Sequence, residues 1–320
     1  MTIVVAMEDA VIVERDGSVA ERPVDHRPAC VAATDSALFC GTVDAGLLRS
    51  RDGGETWDRI AADVITDRVT AVAIDPRDPA IIWAGTEPSA LFRSSDGGDT
   101  WETLPALTDL ETADQWSFPP RPHTHHVRWI EPDPHEPHRL YVGIEAGALL
   151  VSADGGQTWL ERPPGSRYDN HQLATHPTDP GRVYSAAGDG YAESTDFGET
   201  WAHPQGGLDH RYVWSVAPDL GDPGTVLVSA ASGASAAHSQ PAESYVYRRA
   251  GEADWERIDG LPTGEGVLRA VIEPVDEATF VAANNRGLFR TSDAGDTWAA
   301  LDVDWADRFG DQTVRGVAVS

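Results

Sequence analysis

The chain has 320 residues, 52 of them acidic and 24 basic, for a formal net charge of −28. Every basic residue is Arg, with no Lys. This balance excludes a general nucleic-acid binder, which needs a basic face, and no stretch approaches the ~20 apolar residues of a membrane span.

Surface carboxylates in excess with Lys removed match adaptation to a cytosol at molar salt, as in halophilic archaea. Screening there shortens the Debye length to about 3 Å, so a large negative charge costs little. Only Cys30 and Cys40 are present, which is no disulfide framework, and both read as reduced core residues. Residues 1–9 lack the basic start and long apolar run of a signal peptide, so a cytoplasmic protein is expected.

Taken in order, residues 2–6, 10–15 and 19–22 read as three strands. A full unit follows at 28–60. The clearest unit comes next, with an alternating apolar strand a at 68–75 and a Pro-Arg-Asp-Pro turn. Strand b is 81–86, strand c 90–94 and strand d 100–104. Further units span 125–162, 170–204, 212–259 and 267–302. Residues 313–320 then read as a strand a without a blade, and 2–23 as a blade without its strand a. The two remnants complete each other.

Between strands c and d five units carry one pattern, Ser/Thr-x-Asp-x-Gly-x-Thr-Trp: 50–57, 94–101, 152–159, 194–201 and 291–298. The Ser/Thr hydroxyl and the Asp carboxylate can accept hydrogen bonds from the turn's N–H groups. The fixed Gly supplies a positive φ, and the Trp is large enough to fill a gap between neighbouring sheets. The unit at 212–259 has a degraded copy, Gly251-Glu-Ala-Asp-Trp255.

The pattern is the Asp-box, and the repeats resemble the BNR repeats of sialidase-like β-propellers. Similar repeats occur in the photosystem II stability/assembly factor and in sortilin ectodomains. The resemblance implies an all-β fold: one domain, 1–320, forming a seven-bladed β-propeller of four-stranded antiparallel blades. Blade 1 is 2–23 plus 313–320, so the C-terminal strand closes the ring in the N-terminal blade. The box aspartates Asp52, Asp96, Asp154, Asp196 and Asp293 are then structural and lie away from the ligand face. Sialidases carry a Phe/Tyr-Arg-Ile-Pro motif that this chain lacks.

Two spans exceed the repeat, 106–124 before blade 4 and 229–244 between strands b and c of blade 6. In a propeller both connections lie on one face, where long loops carry function. The first residues of each strand a open on that face. There the sequence places His123, His125, His126 and Arg128, then His171, then His210, Arg211, Tyr212 and Trp214. Arg68, Arg269 and Arg315 stand at comparable points. Aligned on Pro132 and Pro177, His126 and His171 take equivalent positions.

Arg68, Arg128, Arg211, Tyr212, Trp214, Arg269 and Arg315 are therefore expected to bind an anionic or carbohydrate small molecule, since Arg forks clamp carboxylate and phosphate. His126, His171 and Glu145 are the candidates for proton transfer in a hydrolytic or lyase step. A second reading puts one divalent metal on His125, His126, His171 and His210, for a metal-dependent lyase or hydrolase. A third is a non-catalytic scaffold gripping a protein partner through the 106–124 and 229–244 loops.

Overall fold

A computed structural model describes residues 1–15 and 17–320. Seven antiparallel sheets follow one another along the chain. Blade 4 shows the plan: Val127–Pro132, Leu140–Ile144, Ala148–Ser152 and Leu160–Glu161, each strand beside the next, from strand a inside to strand d outside. In blade 5 strand d is reduced to one bridge, Glu193 to Ala202. His203-Pro204 follows immediately, and Pro has no N–H to extend a ladder.

Blade 1 is composite, as the sequence implies. Gly316–Val319 is its strand a and pairs with Thr2–Ala6 in register Ile3 to Val319 through Ala6 to Gly316. Thr2 N donates to Ser320 O at 2.7 Å, and Ser320 N to Thr2 O at 3.0 Å.

The core is divided by the blades. Buried apolar residues form seven clusters, one in each interface between consecutive sheets. Strand alternation distributes the side chains. Val4 and Ala6 pack toward blade 2, while Ile3 and Val5 on the same strand pack toward blade 7. Cys30 and Cys40 are buried in this packing and unpaired, and burial pushes the Cys30 thiol up to about 12.

The Asp-boxes make the local turn and also join blades. Ser94 Oγ accepts from Gly98 N at 2.9 Å, and Asp96 accepts from Thr100 N at 2.8 Å and from Thr100 Oγ1 at 2.6 Å. The same bonds recur in the other four boxes. Two successive residues are left-handed, so the variable position before the fixed Gly is strained wherever it is not Gly itself, as at Phe197 and Ala294. The fixed Gly is held by a second constraint: a Cβ on Gly98 would lie 3.1 Å from Phe39 of blade 2. Each box therefore seats against the blade before it. The box Trp residues follow, with Trp101 and Trp201 joining the clusters of blades 2–3 and 4–5.

Two predictions follow from this architecture. Removing residues 313–320 strips blade 1 of its inner strand, so the ring should lose its single cooperative melting transition at a lower temperature. Calorimetry showing the original transition intact would disprove closure by that strand. Next, the Thr100 hydroxyl and N–H hold the Asp96 carboxyl down at about 2, against an ordinary 3.8. A depressed folded-state value contributes stability that is complete above the ordinary value and lost as pH falls through about 2. Carboxyl-carbon NMR should place the Asp96 midpoint near 2; a midpoint near 3.8 would show that the box bonds open in solution.

Candidate functional site

Strand a of five blades carries a one-residue register shift near its start, at Ala29, Thr70, Arg128, His171 and Trp214. A bulge of this kind re-aims a side chain. Structural equivalence follows from the residue facing the box serine across strand b, which pairs with Ala33, Ile74, Pro132 or Thr175 of strand a, and with Pro218 at the matching point of blade 6. Four residues before these anchors stand the five bulged positions. Six residues before them stand Arg27, Arg68, His126, Asp169 and Tyr212. All five of this outer ring, and every bulged residue but His171, line one cavity of about 680 Å³ at the channel mouth.

This corrects the alignment of His126 with His171. Thr175, not Pro177, is the counterpart of Pro132, so His126 corresponds to Asp169 and His171 to Arg128. Arg211 does not reach the cavity: Tyr212 and Trp214 face it, and alternation turns Arg211 outward to solvent. His125 turns away likewise, its Nδ1 2.8 Å from Ser89 Oγ. His210 lies outside the cavity, 2.6 Å from Tyr247 Oη and packed at a tilt against Tyr245. The four histidines expected around one metal are thus not brought together.

Arg68, Arg128, Tyr212, Trp214, Arg269 and Arg315 do line the cavity, with His126 and Glu145. Both insertions reach it, the first through Phe118, Pro119, Pro120 and Arg121, the second through Ala234 and His238. Arg121 grips Glu87 bidentately at 2.8 and 2.6 Å, and Arg68 adds a third contact at 3.2 Å. Burial alone would raise the Glu87 carboxyl, but Arg121 and Arg68 outweigh it and hold it low.

Trp214 organises the floor. The guanidinium carbon of Arg269 lies 3.6 Å from its ring centroid and that of Arg128 4.6 Å, a favourable placement for cations. Arg269 is 1% exposed. Its Nε donates to His238 Nδ1 at 3.2 Å and its Nη1 to Val314 O at 2.9 Å. Among the described residues no carboxylate oxygen lies within 4.0 Å of it. Burial, with Arg128 and Arg315 nearby, lowers its pKa. Because His238 Nδ1 accepts, Nε2 carries the proton and donates to Tyr212 Oη at 3.0 Å, which frees the tyrosine hydroxyl to donate. Burial first, then Arg269, pushes His238 down to about 2, so it stays neutral.

Across the cavity His126 Nε2 stands 3.0 Å from Glu145 Oε2, with Arg128 Nε at 3.6 Å. Burial would raise the Glu145 carboxyl, but His126, His171 and Arg128 outweigh it and hold it at about 2. His171 is fully buried, its Nδ1 donating to Val213 O at 2.7 Å, and desolvation lowers its pKa. Asp169 is raised by burial, partly offset by His171.

Sequence reasoning did not single out Arg27, Thr70, Arg121 or Asp169. Arg27, Arg68 and Asp169 had a readable signal, the fixed offset from the residue opposite the box serine. His238 had none, because the helix Ala234–His238 inside the second insertion carries it back over the mouth.

No family model matches this sequence, and no curated protein matches it. Solved structures do. A GH74 enzyme from Niastella koreensis superposes with a TM-score of 0.68 at 17% identity, over 92% of this chain and 53% of that one. An ancestral GH74 enzyme gives 0.65 at 16% identity, over 85% and 38%. YCF48 bound to D1 peptide gives 0.62 at 18% identity, over 89% and 85%. The chain spans about four-tenths to a half of the two GH74 chains. At these identities the likeness establishes the propeller fold. Among the described residues no helix is long and apolar enough to cross a membrane.

The Arg121–Glu87 fork ties the first insertion to strand b of blade 3. Arg121→Ala should free the insertion while leaving the ring folded, seen as faster limited proteolysis within 106–124 at unchanged circular dichroism. Unchanged cleavage would mean that packing alone holds the insertion.

Proposed function

We propose that the channel mouth binds an anionic small molecule of carbohydrate size, its carboxylate or phosphate held by Arg128, Arg269 and Arg315. The observation that carries this reading is Arg269, a buried guanidinium with no carboxylate partner in a protein of net charge −28. A buried cation left unpaired is costly, and a ligand anion supplies the missing charge. The cavity holds six Arg, namely Arg27, Arg68, Arg121, Arg128, Arg269 and Arg315, against Glu87, Glu145 and Asp169. The Tyr212 hydroxyl adds a neutral donor. His126, oriented through Nε2 by Glu145 and with Nδ1 left without a partner among the described residues, is the residue through which proton transfer in an elimination or hydrolysis would run. The two GH74 neighbours are glycoside-acting by name, which agrees with a sugar-bearing ligand.

The second reading is a non-catalytic scaffold. It is favoured by the two insertions that reach the same cavity and by the YCF48 neighbour, solved with a D1 peptide. A peptide's terminal carboxylate would meet the same arginines.

Calorimetric titration with uronic acids, sugar phosphates, their neutral counterparts, and peptides with free or amidated C-termini separates the readings. Wild-type protein should bind anionic sugars at least tenfold more tightly than neutral ones. Arg269→Met should cut that affinity about tenfold to a hundredfold, since charge-assisted bonds contribute about 1.5–3 kcal/mol. The same variant should melt no lower than wild type, because it removes a buried unpaired charge. Equal binding of charged and neutral sugars would overturn the anion site, and binding of free-acid peptides alone would establish the scaffold.

A further inference from the structure

We infer that Glu145, Asp169 and His171 form a binding site for one divalent first-row metal ion at the edge of the cavity, a set that keeps only His171 of the four histidines expected around a metal from the sequence and replaces the others with two carboxylates. Their ligating atoms all lie within 4.8 Å of one another.

Three acceptors converge there with no donor between them. His171 Nδ1 gives its proton to the Val213 carbonyl, so in the neutral ring Nε2 is a lone pair. That Nε2 is buried, has no hydrogen-bond partner, and points at Asp169 Oδ2, 3.7 Å away. Asp169 is fixed in this orientation because Oδ1 accepts from Ala146 N at 2.8 Å, leaving Oδ2 free. Glu145 is fixed similarly: Oε2 takes His126, and Oε1 has no partner among the described residues.

A lone pair facing two carboxylates is repulsive unless a proton or a metal ion stands between them. Donors about 2.1 Å from a shared ion are roughly 3–4 Å apart, so the observed spacing closes on an ion with small side-chain adjustments. The backbone carbonyl behind His171 and the imidazole behind Glu145 are the outer partners that orient metal ligands. One imidazole with two carboxylates suits Mn²⁺, Fe²⁺ or Zn²⁺ better than Ca²⁺ or Cu⁺. Arg128 near Glu145 opposes a further positive charge, and the two carboxylates outweigh it. Glu145 and Asp169 both line the cavity, so the ion's open positions would face it. The inference does not rest on the anion reading, because the metal alone is the probe.

The test uses full-length protein stripped with chelator, then titrated with Zn²⁺ and with Mn²⁺ by calorimetry and analysed for metal after dialysis. One ion per chain is expected, together with a rise in melting temperature that grows with free metal. Asp169→Asn and, separately, Glu145→Gln should each weaken binding at least tenfold and abolish the thermal shift. His210→Ala, away from the cavity, should bind as wild type does. Should Asp169→Asn fail to fold, the near-isosteric Glu145→Gln decides alone. Absence of stoichiometric binding by the wild type would overturn the site, as would binding that survives both carboxamide variants.

Discussion

The whole molecule depends on the pairing of Ile3–Ala6 with Gly316–Val319. Every interface between blades is a separate apolar cluster, and each blade contributes to two of them. An open arc of the same sheets would leave two faces of buried Val, Ile and Leu in water. Closure through a shared sheet replaces a face-to-face contact, which can slide, with backbone hydrogen bonds, which have one register. The Asp-boxes act in the same direction from the periphery, seating each blade on its predecessor.

A ring held that rigidly can carry an unfavourable arrangement of charge at its centre. Arg269 is buried without a countercharge, and His171 aims a lone pair at two carboxylates. Neither arrangement helps the chain to fold. Both sit where strand a bulges or where an insertion folds back, with the rigid inner strands supporting them. The polarity of the mouth is also opposite in sign to the protein as a whole. A net charge of −28 repels anions at long range, so short Arg contacts, not steering, would select such a ligand, and more so in concentrated salt.

The fold was legible because its signals are local. Ser94, Asp96, Gly98 and Thr100 satisfy one another within a single turn, so their spacing alone reports the hairpin, and repetition reports the blades. Blade 1 was legible because residues 2–23 lack an inner strand and 313–320 lack a blade. The site was only half legible. Arg68, Arg128, Tyr212, Trp214, Arg269 and Arg315 were found because strand starts face the mouth. The pairing of His126 with His171 failed because a proline was used as the anchor, and Pro177 lies two residues beyond the structural equivalent, Thr175. Arg211, His125 and His210 failed for a related reason: closeness in sequence to a mouth residue says nothing about which side of the strand a neighbour takes. Arg121 and His238 depend on the path of insertions, which no periodicity encodes.

The outer strands have a further consequence. In blades 2 to 7 strand d is three residues or fewer, and in blade 5 a single bridge. Among the described residues only blade 1 presents a longer rim, Ser18–Pro23, and it ends in a proline and carries Glu21 in an ion pair with Arg308. A sheet edge that short offers an incoming chain too few free N–H and C=O groups to lengthen the sheet. The perimeter of the ring therefore protects crowded copies of the protein from β-aggregation.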